Sequence, residues 1–263
     1  MTSISEQFLK AVGKHFVSLS CVRTDEKDNP IVAHIFSGFV IEVLEEWFLV
    51  TAGHVLSELR EAMDAGARFR IWRLGDQTGS GKYGSKAIPF DFDVEDWLVI
   101  SDDENGMDYA ATPLLSLFRA ALERGGIVPL SERVWGNPWN DEFTRRVLVG
   151  IPKESASYDG VSVICAKFAL APMQPADPPL NAERKIENQF FSKLDEDPSD
   201  IIKNLKGMSG GPIFSCKIEG SNLHYKVLGV QSSWYPSQRI VAACPIGSFG
   251  KAIEQAIKEA ANE

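Results

Sequence analysis

An all-β-dominated fold with a helix at each end is what this 263-residue sequence predicts. Short β-rich runs recur between polar turns at roughly 8–12-residue intervals, the texture of a barrel or sandwich. Amphipathic helical periods stand at the two ends of the chain. The regular strand–helix alternation of a doubly wound sheet is missing.

Residues 3–13 read as a short helix, with Ile4, Phe8, Leu9 and Val12 on one face and Ser3 or Ser5 available as a cap. Val17–Val22, Ile31–Phe36, Gly38–Val43 and Trp47–Thr51 are strand candidates, broken by turns such as Asp25-Glu26-Lys27-Asp28-Asn29-Pro30. Val55–Gly66 is helical, carrying Val55, Leu56, Leu59 and Met63 at helical spacing. Phe69–Leu74 and Asp96–Ser101 are strand candidates, and Gly75–Gly84 is a glycine-rich turn. Pro113–Glu123 is helical, whereas Arg145–Gly150 and Val161–Leu170 are strands. Residues 171–200, with Pro172, Pro175, Pro178, Pro179 and Pro198, read as a surface insertion holding a short helix near Ala182–Phe191. Strands resume at Gly211–Cys216, Tyr225–Ser232 and Ile240–Ala243, and Ser248–Ala261 closes the chain as an amphipathic helix.

Composition bounds the function. With 44% hydrophobic and 24% charged residues the chain is ordinary for a globular protein and long enough to bury a sizeable core. A net charge of −9 disfavours a nucleic-acid or anionic-membrane partner. No run approaches the ~20 apolar residues of a spanning helix. The first sixteen residues mix charges and lack an apolar centre, so they do not read as a secretory signal, and a cytoplasmic protein is expected. Cys21, Cys165, Cys216 and Cys244 form no CxxC pair and read as free, buried thiols. His15, His34, His54 and His224 are scattered, so neither zinc nor another cofactor is expected.

One stretch carries nucleophile chemistry: Lys206-Gly207-Met208-Ser209-Gly210-Gly211-Pro212-Ile213-Phe214. Its glycines let backbone N–H groups approach a bound carbonyl. Ser209 could attack that carbonyl while the Gly207 and Ser209 N–H groups stabilise the oxyanion. A serine hydroxyl needs an imidazole to take its proton, and the imidazole needs a carboxylate to set its tautomer. Thr51-Ala52-Gly53-His54-Val55 offers His54, between a β run and a helix. Met107-Asp108-Tyr109-Ala110-Ala111 offers an acid among apolar residues, and a buried acid wants a partner. Asp93 and Asp96 are weaker alternatives.

Ser37-Gly38-Phe39-Val40-Ile41 and the His54, Asp108 and Ser209 motifs together resemble the chymotrypsin/trypsin-like serine peptidase family, across roughly residues 15–255. The resemblance implies two six-stranded-type antiparallel β-barrels. The first, 15–125, would hold His and Asp, and the second, 126–247, would hold Ser; a helix of residues 1–14 precedes them and a helix of 248–263 follows. It implies a serine endopeptidase with His54 as general base, Asp108 as its orienter, Ser209 as nucleophile, and an oxyanion hole at Gly207 and Ser209. Gly150-Ile151-Pro152 resembles the strand end that opens the second barrel in bacterial members. Gly229-Val230-Gln231-Ser232-Ser233-Trp234 resembles the strand that pairs with substrate, which makes Ser232, Ser233 and Trp234 substrate-binding residues. Lys203 and Arg239 align near the base of the specificity pocket, where inward-pointing cations would favour Asp or Glu before the scissile bond; the other possibility is that they are solvated loop charges.

Departures narrow the resemblance. Val55 and Met208 stand where digestive members carry a cysteine and an aspartate, and no Ile-Val-Gly-Gly activation site is visible. The chain looks more like intracellular bacterial members, with narrow cleavage of a protein or peptide and control by a regulatory partner. Gly207-x-Ser209-x-Gly211 also fits a nucleophile elbow, but that fold places its acid and histidine after the serine, and only His224 follows. A catalytically silent module that binds peptides along Gln231–Trp234 is the alternative from another class, and an esterase on the same barrels is a third.

Overall fold

The computed structural model describes residues 4–76, 87–160, 164–180, 182, 188–195, 204–220 and 222–260. Lys203, residues 77–84 of the glycine-rich turn, residues 161–163 and residues 183–187 of the expected short helix lie outside them.

The chain opens with helix α1 (Ile4–Gly13) and strands β1 (Val17–Thr24), β2 (Pro30–Phe36), β3 (Phe39–Val43) and β4 (Glu46–Thr51). Helix α2 (Gly53–Asp64) follows, then β5 (Arg68–Asp76), β6 (Ile88–Pro89), β7 (Leu98–Asp102) and β8 (Met107–Pro113). Helix α3 (Ser116–Gly125) leads through a loop to β9 (Arg145–Gly150) and the short β10 (Ser157–Tyr158) and β11 (Ile164–Cys165). The remaining elements are β12 (Ala169–Ala176), β13 (Phe190–Leu194), β14 (Pro212–Glu219), β15 (Asn222–Tyr235), β16 (Ile240–Pro245) and α4 (Ile246–Ala260).

In the N-terminal half, two four-stranded antiparallel sheets, β2-β1-β5-β6 and β3-β4-β8-β7, meet where Phe16 bridges to Phe39. In the C-terminal half, β12-β13-β16-β15-β14-β9 close into a six-stranded antiparallel barrel. Alternation along β9 shows how the halves join. Leu148 points into the barrel with Met173, Ile213, Leu228 and Val241, while Val147 and Val149 face the other way into the core shared with the N-terminal sheets. β15 and β16 add Val230 and Cys244 to that shared core, and α4 adds Phe249 and Ile253.

Three expectations change. Residues 171–200 are not simply an insertion, because most of β12 and all of β13 fall inside them and complete the barrel. Prolines hid β12, yet Pro172 pairs with Val147 and Pro175 with Ser192. A strand tolerates proline where the missing N–H would not enter the ladder. The Val161–Leu170 strand is seen only as β11 and the first two residues of β12. Met107–Pro113, read above only as an acid among apolar residues, is a full strand.

Candidate active site

His54 sits in the first turn of α2, whose preceding residue Ala52 is extended and has no side chain able to cap the helix. The cap comes from elsewhere. Asp108 on β8 accepts the His54 backbone N–H on Oδ1 at 2.7 Å, placing a negative charge at the helix N-terminus. Its Oδ2 accepts from His54 Nδ1, also at 2.7 Å, and from the Ser232 hydroxyl at 2.5 Å. Asp108 is fully buried, whereas the His54 side chain keeps 25% of its surface exposed.

Burial by itself would raise the Asp108 pKa, but the hydrogen bond and charge at His54, then Ser232 and the His54 amide, outweigh it and hold the group at about 2. An ionised carboxylate accepts only, so Nδ1 of His54 carries a proton, and in the neutral ring Nε2 carries the lone pair. Tyr109 anchors the strand beside the acid: its hydroxyl donates to Pro245 O at 2.8 Å and its ring stacks on Phe249.

Ser209 lies half-buried in the loop between residues 204 and 211, behind the fully buried Met208. Met208, Gly210 and Gly211 N–H donate to Leu205, Gln231 and Met208 carbonyls. Among the described residues no acceptor is recorded for the Gly207 or Ser209 N–H. Gly210 adopts φ +83°, and a side chain there would meet Thr51 Oγ1, Ser37 O at 2.6 Å and Ala52 N at 2.9 Å. The residue after Ser209 is thus pressed against the segment that leads to His54. Ser37 fastens the other end of the loop, donating to Gly207 O at 3.1 Å while accepting the Ile151 N–H at 2.9 Å. Thr51 in turn donates to Ser37 O at 2.9 Å.

His54, Asp108 and Ser232 are therefore in direct contact, and the Ser209 loop abuts Thr51 and Ala52. Ser232, expected on a strand that pairs with the substrate backbone, turns its hydroxyl onto Asp108 and is buried. The reason is local: the β15–β16 register shifts between Gln231 and Ser233, so the simple alternation does not carry through Ser232. Ser233 and Trp234 pair with Ala242 and Val241 of β16. The β14 pairing stops at Val230, which leaves the other edge of β15 at Ser233 and Trp234 without a strand partner among the described residues. Arg239, at φ +56°, donates to Asp195 O at 3.2 Å and no recorded contact joins it to the Ser209 loop. Ser37 and Thr51 are the positioning residues that sequence reasoning did not single out; both are buried hydroxyls in otherwise apolar strand context.

All four cysteines are free thiols, and Cys165 is exposed. No group of three or more potential metal ligands occurs among the described residues. No helix of the described residues is long and apolar enough to cross a membrane.

No protein-family model matches the chain, and no curated protein does. Among solved structures it is similar to the thermostable serine protease AL20 from an extremophilic microorganism, at 12% identity and TM-score 0.49, covering 89% of this chain and 92% of that one. It is also similar to the protease Anisep from Arthrobacter nicotinovorans, at 15% identity and TM-score 0.45 over 88% and 90% of the two chains. A further similarity is to a catalytically inactive tobacco etch virus protease complexed with substrate, at 10% identity and TM-score 0.44 over 90% and 80%. A closed antiparallel barrel bearing the Ser209 loop, packed on the N-terminal sheets that bear His54 and Asp108, is a chymotrypsin-like fold.

Proposed function

We propose that this chain is a serine endopeptidase working through Ser209, His54 and Asp108. The observation that carries the proposal is the Asp108 carboxylate: buried, ionised and shared between His54 Nδ1, the His54 amide and Ser232. That carboxylate fixes the tautomer that leaves Nε2 basic. In the reaction Ser209 Oγ attacks the scissile carbonyl and gives its proton to His54 Nε2. Asp108 stabilises the imidazolium, and the Gly207 and Ser209 N–H groups receive the oxyanion. His54 then protonates the leaving amine, which departs and leaves an acyl-enzyme on Ser209. Water, deprotonated by the same nitrogen, attacks the ester, and the adduct releases the acid as Ser209 Oγ takes the proton back from His54.

The proposed division of labour is a first unit, 15–125, supplying His54 and Asp108, and a second, 126–247, supplying Ser209. The edge of β15 at Ser233 and Trp234 would hold the substrate backbone by strand addition. We further propose cytoplasmic action on few protein or peptide substrates, under the control of a regulatory partner. In support, Met208 is an apolar, fully buried residue that cannot pair with a freshly cut α-amino group.

Intact mass after exposure to a fluorophosphonate tests the nucleophile. A single adduct is expected on the unmodified chain and none on Ser209→Ala or His54→Ala. An adduct that persists in Ser209→Ala, or no adduct on the unmodified chain even in native lysate, overturns the proposal and favours a silent peptide-binding module.

A further inference from the structure

Two exposed cations, Lys206 and Lys153, flank the Gly207 end of the nucleophile loop, and a third, Arg23, lies further along the β1–β2 ladder. Lys206 immediately precedes Gly207, and its carbonyl accepts the Lys153 N–H at 2.8 Å. Lys153 lies so close that a Cβ on Gly207 would come within 2.9 Å of its backbone nitrogen. Ser37, at the end of β2, clamps this corner by bonding both Gly207 and Ile151. Two residue pairs back along the β1–β2 ladder, Cys21 faces His34 and Arg23 faces Val32, so Arg23 is the diagonal neighbour of His34 on one face of the sheet. His34 lies in the field of two of these cations: burial first, then the charges of Arg23 and Lys153, lower its pKa. Among the described residues neither Arg23, Lys153 nor Lys206 has an acidic partner within salt-bridge distance, and Glu154 is the one acid beside Lys153 in sequence. On a chain of net charge −9, such a cluster runs against the overall balance.

Its place on the loop gives it a direction. The Gly210 end is tied to β15 through Gln231 O, and the Gly207 end to Ser37 and the 151–153 turn. A peptide with its carbonyl at the Gly207 and Ser209 N–H groups and one flank along the β15 edge would leave the site past Lys206 and Lys153, in the direction of Arg23. Resting on the peptidase function proposed above, we infer that these three side chains select acidic residues, Asp or Glu, on the leaving-group side of the scissile bond. Charges placed this way act through encounter and orientation and weaken as salt rises.

Binding to Ser209→Ala, in which turnover is removed, tests the inference by fluorescence anisotropy. The probes are two pools of labelled octapeptides, randomised over five positions and ending in Asp-Glu-Asp or in the isosteric Asn-Gln-Asn. The acidic pool is expected to bind about tenfold more tightly at low ionic strength, as two or three exposed charge pairs would give. The advantage should shrink with salt and vanish or reverse in Arg23→Glu/Lys153→Glu. Equal affinities, tighter binding of the neutral pool, or an acid preference that survives the double reversal overturns it. Fluorophosphonate labelling reports separately on catalysis. An adduct without acid preference removes this inference alone, and acid preference without an adduct removes the peptidase mechanism alone.

Discussion

Replacing Asp108 by asparagine keeps the side chain's size and removes its charge, so Nδ1 of His54 no longer has to carry the proton. The rate of fluorophosphonate labelling is expected to fall about 10³-fold or more, by the behaviour of such triads when the tautomer is lost. Ser232→Ala removes one of three donors to the same carboxylate. About a tenfold loss in labelling rate is expected, the worth of one charge-assisted hydrogen bond. Asp108 was legible in the sequence as an acid among apolar neighbours, because such an acid must be paired. Ser232 was not. The direction of its hydroxyl depends on a register shift that period-2 counting does not include, so its bond to the acid was not foreseen.

Turns and strands tell a similar story at the scale of elements. Gly210 and Gly66 share nearly the same backbone angle, φ +83° and +89°. A side chain at Gly210 would run into Thr51, Ser37 and Ala52, while nothing lies within 4 Å of one at Gly66. Gly66→Ala is expected to cost about 1 kcal/mol of stability, and Gly210→Ala about 3 kcal/mol or more with loss of labelling. Urea denaturation of the two variants checks this, and equal losses would contradict it. The strands from Val17 to Thr51 were readable because apolar residues alternate between strong turn signals. β8 was hidden by the acid at its second position, β12 by its prolines and β13 by its length of only five residues. These are the places where tertiary pairing overrides local preference.

Across the whole molecule, one buried histidine links the start of the chain to the barrel. His15 donates from Nδ1 to Val128 O, and its Nε2 accepts from the Tyr225 hydroxyl at 2.8 Å. Phe8 of α1 meets Phe214 of β14 edge to face beside it. Burial pushes the His15 pKa down from 6.5 to about 4, the Val128 bond opposing and Lys14 assisting. The unfolded chain therefore binds more protons between those values, and the stability present above pH 6.5 is lost as pH falls through about 4. The change amounts to about 3 kcal/mol. Asp108 adds a second acid-sensitive window, from its ordinary 3.8 down to about 2. In a pH series of thermal melts, His15→Gln is expected to flatten the slope between pH 6.5 and 4, whatever its effect on the melting temperature at neutral pH. His34, whose pKa is lowered in the same direction, retains part of it. An unchanged slope would place the acid sensitivity elsewhere. The two-part layout was legible from the order and spacing of the His54, Asp108 and Ser209 motifs. The manner of joining was not, because it rests on which face of β9 each valine takes.

The start of α2 and the base of the site share one carboxylate. A descendant of this chain that abandoned chemistry while keeping its shape would therefore shed its parts in a particular sequence. Among the described residues no hydrogen bond joins Ser209 to α2, so it can drift first. Loss of the Asp108 side-chain carbonyl oxygen would unseat His54 and uncap α2, so under the proposed mechanism an acceptor there should outlast the reaction. Relics of this lineage would be recognised by an intact acceptor and imidazole facing a lost hydroxyl.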